Sequence, residues 1–207
     1  MKTIKSTLHT VTVFSQEQQH RLLLSKQWEN GKPTATVIMI NPHSADVILS
    51  DSTTMYVVNN LCRLGYGGVH IVNLYSRICD RLMLRFNSDE DLLDPENDEI
   101  ILKCAAESDD IIIAWGSAGH NSQRVRDRQT ELLDLLKTYP LKIITDGGET
   151  AYHPLSPAVR DRWILKDYGG MDHDADNNGT GDRNNPAGTF AGLSSEQNES
   201  NVRRIRC

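Results

Sequence analysis

The 207-residue chain is poor in the features that mark several whole classes of protein. Its four cysteines, Cys62, Cys79, Cys104 and Cys207, are scattered, and no C-x-x-C pair occurs. That argues against a zinc ribbon, a dithiol redox site and a disulfide framework. Cys62 and Cys104 fall in helical apolar patterns and read as small core hydrophobes. No apolar run approaches the ~20 residues of a bilayer span. The opening stretch MKTIKSTLHTVTVFSQ lacks the ~7–15-residue apolar core of a secretory signal. With no mark of export, the cytoplasm is the expected compartment. Positive charge is not in excess. A net charge of −6 excludes a globally basic nucleic-acid coat and leaves room for a local basic site. The phosphate-binding patterns G-x-x-x-x-G-K-[ST] and G-x-G-x-x-G are absent, as are nucleophile-elbow, S-x-x-K and H-E-x-x-H patterns. His20, His70 and His120 fall at no ligand spacing, so neither a metal nor a cofactor is expected.

What remains is ordinary globular material. Hydrophobic residues make up 38% of the chain and 14 glycines add to them, enough for one core. The composition shifts near Tyr168. Residues 169–207 are rich in Gly, Asn, Asp and Ser, with few large apolar residues and no period. Such a segment buries too little to offset its ordering entropy. The expected organisation is therefore one α/β domain over residues 1–168 and a disordered polar tail. The tail stretch DHDADNNGTGD resembles a calcium loop in composition only. Counted from Asp172 or Asp174, the twelfth position holds Arg183 or Asn185 where a glutamate is needed.

Within residues 1–168, elements alternate. TVTVF (10–14) and HRLLLSKQW (20–28) read as an opening hairpin. TATVIMI (34–40), VHIVNLY (69–75), DDIIIAWG (109–116) and LKIITD (141–146) are short, nearly all-apolar runs, the mark of strands buried on both faces. Helical patterns lie between them: one with Met55, Val58, Leu61 and Leu64 at three-residue steps, one over 99–108, and one over 128–139 with Leu132, Leu133, Leu135 and Leu136 inward. The expected fold is a three-layer α/β/α arrangement with a mainly parallel four-stranded central sheet, preceded by an N-terminal β-hairpin.

In such sheets ligands bind at the carboxyl ends of the strands, and all four ends are polar. They carry Asn41-Pro42-His43-Ser44-Ala45-Asp46; Asn73 with Tyr75-Ser76-Arg77; Trp115-Gly116-Ser117; and Tyr152-His153-Pro154-Leu155-Ser156-Pro157. Each has a plain structural alternative. Asn-Pro ends strands for turn reasons alone. Ser44 or Asp51 suits a helix cap. Asn73 inside an apolar run needs partners, which a ligand or a neighbouring loop would supply. Trp115-Gly116 suits core filling beside a tight turn. Arg124, Arg126 and Arg128, with Arg77, Arg81 and Arg85, supply local positive charge suited to phosphate or to a solvated face.

The segments I-M-I-N-P-H-S-A-D, Asp51-Ser52-Thr53, V-N-L-Y-S-R, A-W-G and H-P-L, in that order over roughly residues 20–157, resemble the family called domain of unknown function 1643. His43 stands where that family commonly has serine. More distantly, the same strand ends are similar to the uracil-DNA glycosylase superfamily. That resemblance implies that Asn41-Pro42 positions an attacking water and that Asn73 recognises a base edge. It also implies that the Ala114-Trp115-Gly116 strand end and the His153–Pro157 loop complete the site.

The expectation is an N-glycosidase-like enzyme acting on a nucleobase in DNA or in a nucleotide. Asn41, His153 and Asp46 would be its catalytic residues, with Asp51 a further aid. Pro42, His43, Ser44, Asp51, Asn73, Tyr75, Arg77, Trp115, Gly116 and Ser156 would contact substrate, Tyr75 or Trp115 by stacking. The alternatives are a non-catalytic module that binds a nucleotide or modified base, and a small-molecule hydrolase or transferase. The expected partner is DNA or a nucleotide, with no membrane.

Overall fold

Valine and isoleucine dominate four runs of the chain, and these form the centre of the molecule. The computed structural model describes residues 1–43, 50–118 and 122–169. The chain divides into Met1–Gly170 and Met171–Cys207, so the expected polar tail beyond Gly169 lies outside the described residues. Strands β1 (His9–Phe14), β2 (Arg21–Gln27) and β3 (Thr34–Met39) are followed by helix α1 (Ser52–Arg63) and β4 (Gly68–Asn73). Then come α2 (Asp89–Leu92), α3 (Asn97–Ala106), β5 (Asp110–Ile113), α4 (Gln123–Leu135), β6 (Leu141–Thr145) and β7 (Ile164–Asp167). The fold is mixed α/β, with one seven-stranded sheet in the order β1-β2-β4-β3-β5-β6-β7.

The four apolar runs are β3, β4, β5 and β6, and they lie parallel to one another. Because successive side chains point to opposite faces, each run feeds two buried clusters. Ile38, Val72, Ile111 and Ile113 pack with Ile101 and Cys104 of α3 and Val125 and Leu132 of α4. Val37, Ile71, Ile112 and Ile144 pack with Val57 and Leu61 of α1 and with Trp163. Apolar neighbours on both faces explain why these strands show no polar alternation.

The sheet corrects the four-stranded expectation. The hairpin β1–β2 is not a separate preface. β2 pairs antiparallel with β4, Leu24 opposite Ile71, and so widens the sheet by two strands. On the far edge β7 pairs antiparallel with β6. Its sequence, ILKD, has no buried residue, as suits a short edge strand, and that is why no apolar signal marks it.

Two helix faces also differ from expectation. In α1 the buried residues are Thr54, Val57, Asn60 and Leu61, while Met55 and Leu64 are 44% and 42% exposed. Three-residue steps drift by about 60° each on a helix of ~3.6 residues per turn, so four such positions cannot share a face. α4 begins at Gln123, five residues before its expected start, and Leu135 faces outward while Leu132 and Leu136 are buried. Of the two cysteines read as core residues, Cys104 is buried, which pushes its thiol up to about 11, and Cys62 is exposed. No helix among the described residues is long and apolar enough to cross a membrane.

Candidate functional site

Parallel strands gather their carboxyl ends on one edge of the sheet, and the chain turns there into polar loops. A cleft of about 590 Å³ opens at this edge, within the usual range of small-ligand sites. Ile40 after β3, Trp115 and Ser117 after β5, and Tyr152, His153 and Ser156 after β6 line it. The segment after β6 is held close to the β5 exit by a backbone-to-backbone crossing. Gly116 adopts φ +58°, and a Cβ built there would stand 2.7 Å from the His153 backbone nitrogen. Only glycine fits both the left-handed conformation and the approach. Tyr152 N–H donates to Ile144 O at 2.9 Å, and Ser156 N–H to His153 O at 2.8 Å. Those bonds turn the His153 segment back over the strand ends.

The His153 ring has a defined donor side. Its Nδ1 accepts a hydrogen bond from Leu155 N–H at 3.2 Å, so the proton of the neutral ring sits on Nε2. Burial lowers its pKa below the ordinary histidine value, against the opposing pull of the Asp51 carboxylate. The ring is therefore a neutral N–H donor at pH 7. Asp51 caps α1, its Oδ1 accepting from Thr54 N–H at 2.6 Å. The field of Asp51 also reaches Arg21, a cation only 1% exposed whose pKa burial lowers. Arg21 Nη1 lies 3.5 Å from His43 O. Sequence reasoning passes over Arg21. Its one trace is a charge at the head of the apolar run Leu22-Leu23-Leu24.

Trp115, Gly116, His153 and Ser156 thus come together around the cleft, with Asp51 in electrostatic contact with His153. Neither asparagine is among the residues that line it. Asn41 Nδ2 donates to Cys79 O at 2.8 Å, which fixes the plane of the amide, and the buried Pro42 accepts from Cys79 N–H at 3.2 Å. Asn73 ends β4 opposite Met39 of β3. It is 1% exposed, and neither its Nδ2 nor its Oδ1 has a hydrogen-bond partner. His43 is half exposed, its Nδ1 3.4 Å from Asp80 Oδ1. Ser44 and Asp46 lie outside the described residues.

Tyr75 and Arg77 are elsewhere. Tyr75 is 1% exposed within the core, its hydroxyl directed at Arg124 O; of the two aromatic residues that line the cleft, Trp115 is 3% exposed and belongs to the same core cluster, and Tyr152 is partly exposed. Arg77 donates to Gln19 Oε1 at 2.6 Å. Two arginines read as a phosphate-binding group have structural partners instead. Arg124 binds Asp89 and the carbonyls of Leu84 and Asn87. Arg128, 7% exposed, pairs with Asp98 and donates to Leu74 O. Among the described residues no group of three His, Cys, Asp or Glu side chains is placed to hold a metal ion.

No curated protein and no solved structure matches the chain. A family model, Protein of unknown function (DUF1643), matches residues 21–155, from the buried Arg21 at the head of β2 to the Leu155 amide that binds His153. That match spans more than half of the chain and every strand from β2 to β6, and the chain belongs to this family.

Proposed function

We propose that the protein binds a nucleobase in the cleft at the strand ends and cleaves its N-glycosidic bond, working in the cytoplasm on DNA or a nucleotide. The observation that carries this reading is the neutral His153 ring beside the partly exposed Tyr152 in a cleft over the buried Trp115. The Tyr152 ring suits a flat heterocycle. In hydrolysis, water adds to the sugar carbon as the carbon–nitrogen bond breaks, and the electron pair leaves with the base. A donor aimed at that forming anion lowers the barrier more than almost any other single feature. His153 Nε2–H is such a donor. The Asn41 amide, its plane set by Cys79 O, would orient the water, and Asp51 or Asp46 would take the proton. Asn73 lies outside the cleft lining, and in this reading its buried, unpartnered amide would offer one donor and one acceptor to a base edge that enters past the lining. A base within a duplex must first leave the stack.

A second reading, a module that binds a nucleotide or modified base without cleaving it, is favoured by one observation. None of the described residues lining the cleft is a carboxylate. A base-release assay separates the two. With nucleotide and oligonucleotide substrates, the wild type should release free base, while Asn41→Ala and His153→Ala, still folded, should not. Binding without release would select the module. Full activity in His153→Ala would remove the glycosidase reading.

A further inference from the structure

The strand order puts β1 and β7 at the two edges of the sheet, and the two edges are built differently. β7 is four residues long and carries Lys166 and Asp167, with Lys166 Nζ 2.6 Å from Glu149 Oε1. Short length and charge are ordinary means of keeping a sheet edge from pairing with another chain. β1 has neither. Its six residues, His9-Thr10-Val11-Thr12-Val13-Phe14, include no Asp, Glu, Lys, Arg or Pro, and the nearest such residues are Lys5 and Glu17.

Exposed apolar side chains collect on the same edge. Val11 is 57% exposed, and in the segment leading into the strand Leu8 is 53% and Ile4 80% exposed. The inner side of β1 is occupied by β2, with Val11 opposite Ser25, Thr12 opposite Leu24 and Val13 opposite Leu23. The outer side is a row of backbone donors and acceptors carried by β-branched residues, which suit a paired strand. Short segments of this kind, rich in β-formers and without charge or proline, pair readily with their own copies.

We infer that β1 is an interface between two copies of this chain, which join antiparallel along their β1 edges and merge two seven-stranded sheets into one. Self-complementarity selects the second copy as the occupant. In a two-fold pairing the same patch serves both partners, and the residue at the axis meets itself. With the axis at Val11, Val11 faces Val11 of the second copy, Thr10 faces its Thr12, and His9 faces its Val13. The one large apolar side chain exposed in the strand thus covers itself, threonine meets threonine on the other face, and no like charges are opposed. A single pair of edges falls below the ~1,200 Å² of a standard interface, so the dimer forms at micromolar concentrations and above and dissociates on dilution.

The test is sedimentation velocity of the full chain from about 1 µM to about 1 mM. The mass should rise from the 23.2 kDa of the chain to twice that. Val11→Lys places a charge at an exposed edge position and should weaken the dimer about tenfold or more. Ile164→Lys, on the opposite edge, should leave it unchanged. Oxidation with diamide reads the register. Val11→Cys should give a disulfide-linked dimer, since residues directly opposite lie about 4.5–5.5 Å apart, within disulfide reach. His9→Cys should not, because its two copies would lie about 13 Å apart along the strands. Oxidised wild type gives the background from the native cysteines. A wild type that stays monomeric to ~1 mM would overturn the inference. So would a dimer that Val11→Lys leaves intact, or one cross-linked through His9→Cys and not Val11→Cys. A monomer whose β1 amides are already protected from hydrogen exchange along the outer edge would assign that edge to another part of the chain and overturn it as well.

Discussion

Gly116→Ala tests how the site is assembled, because two separate costs can be worked out for it. A methyl carbon at Gly116 would stand 2.7 Å from His153 N, 3.1 Å from His153 Cβ and 3.3 Å from Tyr152 C. The first of these is backbone, which cannot swing aside as a flexible side chain would. Moving it displaces the whole His153 segment, a strain of about 1–3 kcal/mol by analogy with overpacked cores. The second cost is conformational: at φ +58° an L side chain adds about 1–2 kcal/mol. The sum is roughly 2–5 kcal/mol. Gly31 provides the control, since it has φ +80° and nothing within 4 Å of its built Cβ. Gly31→Ala should therefore lose only the conformational part, ~1–2 kcal/mol. Urea unfolding followed by tryptophan fluorescence measures both variants, and each kcal/mol should lower Tm by about 2–4 °C. Gly116→Ala should also weaken ligand binding in the cleft, and Gly31→Ala should not. Equal stability losses in the two variants, with ligand affinity unchanged, would refute the claim that the Gly116–His153 approach builds the site.

Asn73→Leu should stabilise the protein by about 1–3 kcal/mol, because it removes a buried amide with no partner, and should abolish ligand binding. A destabilised variant in urea titration would mean that the amide bonds within the fold. Arg128→Ala should cost about 1–3 kcal/mol by removing the hydrogen bonds to Asp98 and to the buried Leu74 O. Arg128→Met should cost less, and an Arg128→Ala variant as stable as wild type would contradict the structural role. Burial lowers the pKa of His20, His70 and His153. The unfolded chain, titrating near 6.5, therefore takes up these protons more readily than the fold does. Their contribution is fully present above about pH 6.5 and is lost as the pH falls through the lowered native values. Stability measured from about pH 7.5 to about pH 5 should decline below ~6.5, and a flat profile would count against burial of these rings.

The parallel strands were legible because burial on both faces leaves an uninterrupted apolar run, as in Thr34–Met39 and Asp110–Ile113. The attachment of the hairpin was not, since nothing local in Arg21–Gln27 names β4 as its partner. The short edge strand Ile164–Asp167 carries no buried residue and so no pattern. At the site, the polar strand ends Trp115-Gly116 and His153 were visible as chemistry-bearing residues out of keeping with an inert edge. Their meeting depends on Gly116 lying under His153 N, a contact between segments far apart in the chain. The arginines of α4 show the converse. Arg124 and Arg128 look alike in sequence to Arg81 and Arg85, and the placement of Asp89 and Asp98 is what gives the first two their ion pairs, whereas Arg81 and Arg85 make none among the described residues.

The most direct measurement of the central claim is nitrogen NMR of the His153 imidazole at pH 7, with and without a bound nucleotide. The ring should be neutral and protonated on Nε2, with that N–H resonance shifting when the nucleotide enters. A ring protonated on Nδ1 or on both nitrogens, or one indifferent to the ligand, would contradict it.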